Sequence, residues 1–384
     1  MKVIYSTGTV VQFDGKHYYN NAVQSTYKRY LVLGDEVNVI CHVKEVDKGS
    51  NDMIDEGHVS FTFVNKVNSF NNIINNTLKN NRDIIKEAVR NADFCVAHVP
   101  CRNSYLVIKY AKMFCKPYIT VVVGCPWDSL WNYDWRGKIL APIEYCKLKA
   151  VQCESLYSIY VTNKFLQQRY PTKGKSIGCS NVNMHTGVDG VLEKRIEGIK
   201  LKNKNNVLKI GTAAALDVPY KGQAYVIKAI AKLKKMGLNY EYHLIGGGTG
   251  NKLKETASRF DVSDRVFIHG SIPHDQVADF LDSIDIYVQP SKQEGLPRAT
   301  IEAMSRGCLC MGSNIAGIPE LLDDKYLFEK GNVSEIVEVI KNITVKDLMD
   351  QASRNFNLAK EYDCDVLNER RRKFLEDFKK DSLR

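Results

Sequence analysis

Hydrophobic and polar positions along the chain follow one rhythm twice, with a polar interruption between. The first half alternates short β-branched runs with stretches of helical period: KVIYST, a helix near Ala22 to Val32, EVNVICHV, VSFTFV, a helix near Asn72 to Ala92, FCVAHV, and YITVVVG after Lys116-Pro117. Short apolar runs separated by helices predict a parallel sheet covered by helices. The rhythm weakens around residues 126 to 180 and stops in GVDGVLEKRIEGIKLKNKNNV, a lysine- and asparagine-rich stretch that reads as a linker or edge. It then restarts with VLKIGTAAA, a helix from Gly222 to Lys235, YEYHLIGGG, a helix from Asn251 to Phe260, RVFIHGS, a helix from Asp275 to Ser283, IDIYVQPS, a helix from Arg298 to Arg306, CLCMGS and a helix from Ile318 to Leu322. The predicted class is α/β with two Rossmann-like domains, at 1–190 and 191–365, and a basic terminal helix at 366–384 that packs back on the N-terminal domain. Two such lobes are expected to face each other across an inter-domain cleft at the carboxyl ends of their strands, where ligands bind in open α/β sheets.

Composition narrows this picture. A chain of 384 residues that is 44% hydrophobic and 26% charged has core enough for two globular domains. The most apolar run, Tyr118 to Cys125, is far shorter than the roughly 20 residues a membrane span requires. MKVIYSTGTVVQFDG reads as a first strand rather than a signal peptide. The eleven cysteines are scattered, and only Cys308 and Cys310 lie close together, so no disulfide framework or zinc-ligand spacing emerges. A cytoplasmic location follows as the expectation. The net charge of +10 is uneven, with 23 basic against 16 acidic residues up to Gly190 and 31 against 28 after it. Such an excess suits nucleic acid, an anionic membrane face or a phosphorylated ligand. Basic and aromatic residues do not cluster as a nucleic-acid surface demands, so no nucleic acid partner is expected.

The chemistry concentrates in SKQEGLPRATIEAMSRG, residues 291 to 307, where Glu294 and Glu302 flank a predicted helix start. Gly295 permits close backbone approach and Pro297 sits where the helix begins, leaving amides from Leu296 to Thr300 free to hold an anion such as a pyrophosphate. Carboxylates facing that anion would be repelled, so they are expected to take uncharged diols on its two sides. Glu302 would accept from ribose hydroxyls and Glu294 from a sugar beyond the second phosphate. The bland alternative is that Glu294 complements the helix dipole and Glu302 is a solvated helix residue. Lys221, before Gly222 at a helix start, is placed to bring an ammonium to phosphates. The tryptophans Trp127, Trp131 and Trp135 fall four apart, so one helix would stack them on one face, as core, sugar platform or interfacial anchor.

The run DIYVQPSKQEGLPRATIEAMSRGCLCMGSNIAGIPELL, residues 285 to 322, resembles the donor-site signature of retaining GT-B glycosyltransferases of family 4, and DVPYKGQAYVIKAIAKL, YHLIGGGTG and RVFIHGSIPHDQV resemble the segments that precede it there. The resemblance implies a GT-B fold and transfer of a sugar, with retention, from a nucleotide diphosphate-sugar to an acceptor hydroxyl. Polysaccharide or glycolipid biosynthesis is the implied setting. The alternatives are a GT-B nucleotide-sugar epimerase or a non-catalytic GT-B subunit. The resemblance implies catalytic roles for Glu294 and Lys221, donor binding by Glu302, Gly295, Leu296, Pro297 and Thr300, and a loop from Gly270 to Ile272 by the nucleobase. The family's arginine after the glycine that is here Gly211 is absent from GTAAALDVPYKG, with Arg298 the candidate substitute. Its histidine after the strand PYITVVVG is also absent, which leaves Asp128 as the nearest polar candidate. Gly15 stands in the place of the family's glycine-rich loop, and Trp127 and His98 complete the acceptor-side candidates, His98 reading also, and more readily, as a satisfied structural histidine. Asp363-Cys364-Asp365 spells a motif that holds a metal–nucleotide complex in other glycosyltransferases, and reads here as a turn or helix cap. No metal or cofactor is expected beyond the nucleotide-sugar co-substrate. The expected partners are that donor, an acceptor glycan or lipid-linked glycan, and the inner face of a membrane by peripheral association.

Overall fold

A computed structural model describes residues 1–65, 77–202 and 207–384. The first residues of the helix expected from Asn72, and 203–206 of the polar stretch, lie outside the described residues. Two compact units emerge, the first of Met1–Trp127, Ile139–Cys179 and Asn368–Arg384, the second of Asp128–Lys138 and Ser180–Leu367.

The first unit is built on strands β1 (Lys2–Phe13), β2 (Tyr18–Tyr19), β3 (Glu36–Glu45), β4 (Val59–Phe63), β5 (Phe94–Val99), β6 (Tyr118–Val122), β7 (Tyr157–Tyr160) and β8 (Lys175–Gly178). Their order is β4-β3-β1-β5-β6-β7-β8, with every neighbouring pair parallel and β2 returning antiparallel on β1. All six residues of β5 are buried, as a strand covered on both faces requires. Helices Thr77–Arg90 and Arg102–Met113 supply Ile85, Val89, Val107 and Ala111 to a core with Ile4, Ile40 and Cys95. The terminal helix Cys364–Ser382 buries Phe374, Leu375 and Phe378, and the Phe378 ring lies 5.7 Å from that of Phe94 and 5.2 Å from that of Tyr157.

The second unit carries β9 (Leu208–Ala213), β10 (Tyr240–Ile245), β11 (Val266–Gly270), β12 (Ile286–Gln289), β13 (Leu309–Ser313) and β14 (Leu327–Phe328) in the order β11-β10-β9-β12-β13-β14, all parallel. This is the doubly wound order in which connections leave β9 and β12 in opposite directions, so a crevice opens beyond the carboxyl ends of that pair.

Three expectations need correction. The stretch read as a linker contains the helix Val191–Lys200, with Ile199 buried, and the second unit starts at Ser180 instead of 191. Arg195 from this helix donates to the carbonyls of Leu281 at 2.8 Å, Ile284 at 2.6 Å and Arg306 at 2.9 Å, satisfying acceptors left over at the ends of two other helices. Gly15, at φ +91°, lies in the turn between β1 and β2, not at a strand-to-helix loop. The reason is that β1 outruns its pairing with β5, which ends at Ser6, and continues against β3 to Phe13. The tryptophans do not share one helix: Trp127 and Trp131 belong to Pro126–Trp131, and Trp135 opens Trp135–Glu154. Asp134 forces the break by accepting the Gly137 amide at 2.7 Å, an N-terminal cap for the second helix.

His98, at the end of β5, is a core residue rather than a group presented to a ligand. It is 8% exposed, its Nε2 lies 2.6 Å from the Tyr30 hydroxyl, and its ring sits 4.7 Å from that of Tyr5. Burial, followed by the charges of Arg29 and Arg371, pulls its pKa down to about 3. A depressed pKa means that the stability is fully present above the unfolded value of about 6.5 and lost as pH falls from there towards 3. Below pH 6.5 this one group should therefore steepen the loss by up to about 1.4 kcal/mol per pH unit. Urea unfolding of His98→Gln between pH 7.5 and 4 should show a lower plateau and a shallower slope than the wild type; equal slopes would refute the assignment.

Candidate functional site

The crevice beyond β9 and β12 is lined by two loops that hold each other. After β9 the chain runs to a single turn, Pro219–Lys221, and enters the helix Gln223–Lys235 through Gly222. After β12 it runs through Pro290 to Pro297, which caps the helix Arg298–Ser305 without a side-chain hydrogen bond. The helix expected from Arg298 starts there, and among the described residues no side chain caps it. Gly222 has φ +80°, and a β-carbon there would lie 1.9 Å from the carbonyl oxygen of Pro290. The Lys292 amide donates to the Tyr220 carbonyl at 2.7 Å, and buried Gln223 donates to the Ala215 carbonyl at 3.0 Å.

This contact brings Lys221 and Glu294 together. The Lys221 ammonium lies 2.7 Å from Oε1 of Glu294, with side chains 22% and 12% exposed. The same oxygen accepts from Ser291 at 2.8 Å and from Gln289 Nε2 at 3.0 Å, so three donors converge on it. Behind them the buried Tyr287 hydroxyl donates to Gln289 Oε1 at 2.8 Å, and Thr300 reaches the same atom at 3.4 Å. Among the described residues no protein donor reaches Oε2 of Glu294, which leaves a rigidly held acceptor for a hydroxyl.

Glu302 is partly buried on the helix Arg298–Ser305 and, among the described residues, accepts no side-chain hydrogen bond and forms no ion pair. Burial raises its carboxyl above the usual range, against the opposing charges of Arg298 and His274. Buried Tyr287 feels both carboxylates: its hydroxyl is pushed far up by burial first, then by Glu302 and, more weakly, by Glu294. Gln293 Oε1, in the same loop, is buried and has no hydrogen-bond partner among the described residues. A carboxylate and an amide oxygen left unpaired beside a helix start invite a ligand that brings donors.

The other expected residues differ in burial and contacts. Leu296, Pro297 and Thr300 are buried, Gly295 is partly so, and its carbonyl accepts from Gly317 at 2.9 Å. Gly270 ends β11 at φ +76°, its carbonyl accepting from Gly246 at 2.8 Å, and Ile272 follows half-exposed. Arg298 is exposed. Asp128 sits on the helix Pro126–Trp131, and Asn132 donates through Nδ2 to the Asp128 carbonyl at 2.8 Å and to that of Lys292 at 3.3 Å. Trp127 packs its ring 5.9 Å from that of Tyr145. Asp363 caps the terminal helix, its Oδ1 accepting from the Asp365 amide at 2.9 Å. Gln289, Ser291 and Tyr287 were missed by the sequence reading, although all three lie within the run that carries the resemblance.

Over 339 residues the chain is 30% identical to Protein CapJ of Staphylococcus aureus, a match covering 86% of this chain and 83% of that protein. The profile described as glycosyl transferases group 1 matches residues 194–377. The chain belongs to the group 1 glycosyltransferases. A further relative, the amylovoran biosynthesis glycosyltransferase AmsK of Erwinia amylovora, is 28% identical over 44% of this chain and 44% of its own length. Among solved structures, Anabaena HepE in complex with UDP and glucose superposes with a TM-score of 0.65 at 14% identity, covering 98% of this chain and 99% of that one. Sucrose-phosphate synthase from Thermosynechococcus elongatus superposes with a TM-score of 0.68 at 12% identity, covering 96% of each. These likenesses show the fold, the GT-B pairing of two Rossmann-like units in one chain.

The loop-to-loop contact that shapes this candidate site makes Gly222→Ala a direct test. Left-handed backbone costs an alanine roughly 1–2 kcal/mol, and displacing Pro290 adds to that. Urea unfolding should show the second unit destabilised by about 3 kcal/mol; a loss under about 1 kcal/mol would mean the two loops separate freely.

Proposed function

We propose that this glycosyltransferase moves a sugar from a nucleotide diphosphate donor to an acceptor hydroxyl, with retention at the anomeric carbon, in the assembly of a surface polysaccharide or glycolipid. The observation that carries the reading is the Lys221–Glu294 pair beside unpartnered Glu302 at the carboxyl ends of β9 and β12. Glu302 accepts from the ribose hydroxyls and Oε2 of Glu294 from a sugar hydroxyl, which sets the two ends of the donor. The diphosphate between them meets the Lys221 ammonium and the free amides at the start of Arg298–Ser305. As the glycosidic bond breaks, negative charge grows on the leaving phosphate, and fixed positive groups stabilise that state more than the bound donor. The acceptor proton passes to the leaving phosphate on the same face, so the chain supplies positioning and charge instead of a nucleophile. The names of relatives support the setting, since AmsK is a glycosyltransferase of amylovoran biosynthesis and WcaL of Escherichia coli is putatively one of colanic acid biosynthesis.

Peripheral attachment to the inner face of a membrane belongs to the same proposal. Along Trp135–Glu154 the inward positions are Gly137, Ala141, Leu148 and Gln152, while Trp135, Ile139, Leu140 and Ile143 are exposed among Arg136, Lys138, Lys147 and Lys149. Exposed aromatic and aliphatic side chains ringed by cations complement an anionic lipid surface. Among the described residues no helix is long and apolar enough to cross a membrane.

A thermal-shift screen against UDP-, GDP-, ADP- and CMP-sugars tests the donor site. Ligand at about 100 times its Kd should add roughly 2.7 kcal/mol, and Glu302→Ala should abolish the shift. Because ribose hydroxyls favour the ionised carboxylate, affinity should rise with pH through the raised pKa of Glu302 and level off above it, while Glu302→Gln stays flat. No shift with any nucleotide would sink the donor reading.

Co-sedimentation tests the membrane reading. Vesicles containing phosphatidylglycerol should retain the protein at low salt and pure phosphatidylcholine vesicles should not, and Trp135→Ala with Ile139→Ala should cut retention several-fold. Equal binding to both vesicles, or none, would count against it.

A further inference from the structure

His185, in the segment that follows Ser180, and Asp363, Cys364 and Asp365, at the start of the terminal helix, each offer an atom to one cluster, all within 4.8 Å of one another. Cys364 Sγ lies 3.3 Å from His185 Nδ1 and 3.8 Å from an Asp365 oxygen, and Nδ1 lies 4.0 Å from Asp363 Oδ2 and 3.9 Å from Asp365 Oδ2. Bonds of about 2.0–2.3 Å at tetrahedral angles separate ligand atoms by about 3.3–3.6 Å, so the edges of 3.8 to 4.0 Å need to contract by up to about 0.7 Å, and no edge exceeds 4.8 Å. His185, with a side chain 73% exposed, is free to turn into the cluster. Asp363 is held from behind, its Oδ2 accepting the Thr186 amide at 2.7 Å.

Charge points the same way. Among the described residues no lysine or arginine pairs with Asp363 or Asp365, and the ammonium of Lys360, three residues before Asp363, lies 5.1 Å over the Phe356 ring instead. Two carboxylates and a thiol converge with only an imidazole between them, an arrangement that gains most from a cation. A mixed set of sulfur, nitrogen and oxygen suits Zn2+ and poorly suits Mg2+ or Ca2+, which take oxygen ligands.

We propose that His185, Asp363, Cys364 and Asp365 form a four-ligand site for a transition metal of Zn2+ character. Such a metal ties the segment that opens the second unit at Ser180 to the segment that closes it at Leu367. The proposal is independent of the sugar-transfer reading, because both segments lie apart from Glu294 and Glu302 in the sequence.

The test uses the full chain, reduced and titrated with Co2+ as a spectroscopic stand-in. The expected result is one Co2+ per chain, visible bands of four-coordinate cobalt, a near-ultraviolet thiolate-to-cobalt band, and displacement by Zn2+ but not by millimolar Mg2+. Cys364→Ser should lose the near-ultraviolet band, and His185→Ala, at an exposed position that leaves the fold intact, should weaken Co2+ binding at least tenfold. Replacing the exposed Cys115, Cys146 and Cys153 by serine should leave the band unchanged. A wild type without the band, a band that survives Cys364→Ser or vanishes with the three exposed cysteines, or unaltered affinity in His185→Ala would overturn the proposal.

Discussion

The chemistry of the second unit depends on one close approach, that of Gly222 to the Pro290 carbonyl. Only a residue without a β-carbon, in left-handed backbone, lets the loop after β9 press against the loop after β12. The order of the sheet makes the crevice, since β9 and β12 are neighbours whose connections diverge. The glycine then decides its width. With the loops this close, Lys221 reaches Glu294, and the two charges that would otherwise be costly to hold partly buried satisfy each other.

An ion pair at the centre of a candidate site raises a question about its worth. Exposed pairs contribute little, but this one is mostly covered and its carboxylate is fixed by Ser291 and Gln289 as well. Loading all three donors on Oε1 leaves Oε2 oriented and unfilled, so orientation is gained without saturating the acceptor. Glu302 is the converse case, a carboxylate unpaired among the described residues and pushed up by burial. One glutamate is pre-organised by the protein, and the other waits for donors from outside. In the proposed donor complex this asymmetry assigns the reacting sugar to the rigid carboxylate and the nucleoside to the unpaired one.

What was legible in the sequence follows from where the signal was strong. In the second unit each strand is apolar and each connection carries glycine or a helix, so alternation alone located β9 to β13. The four-residue strands β7 and β8 were missed, because YSIY and KSIG are too short and too mixed to stand out. The helix Val191–Lys200 hid among charges, since few of its apolar positions are needed to face the core and Arg195 does its work through helix-end carbonyls. Both glutamates and Lys221 could be picked out because they sit in the glycine-bearing segments that carry the family resemblance, where local charge alone would also have fitted a helix-dipole role. Gln289, Ser291 and Tyr287 could not, because a neutral hydrogen-bonding residue at a strand end looks the same whether it orients a carboxylate or merely satisfies the backbone. The tryptophan spacing was real, but a spacing of four predicts a shared face only if nothing interrupts the helix, and Asp134 does.

The helix Trp135–Glu154 shows how burial separates two meanings of an apolar residue. Its inward face is small or neutral, Gly137 and Ala141 among them, and Gly137 is pressed so near the Leu130 carbonyl that a β-carbon would lie 2.2 Å away. Folding of the chain therefore gains little from Trp135, Ile139 and Ile143, which point the other way at 67%, 61% and 59% exposure. Scattered exposed apolar residues are ordinary on any protein surface, but these recur every four residues on one helix with Arg136 against the Trp135 ring at 5.4 Å and Lys138 over Trp131 at 5.9 Å. Cations that lie over aromatic rings cover them without burying them, which keeps the surface soluble while leaving both groups available to a lipid headgroup layer. The positive excess of the N-terminal half is thus most informative where it sits beside exposed rings.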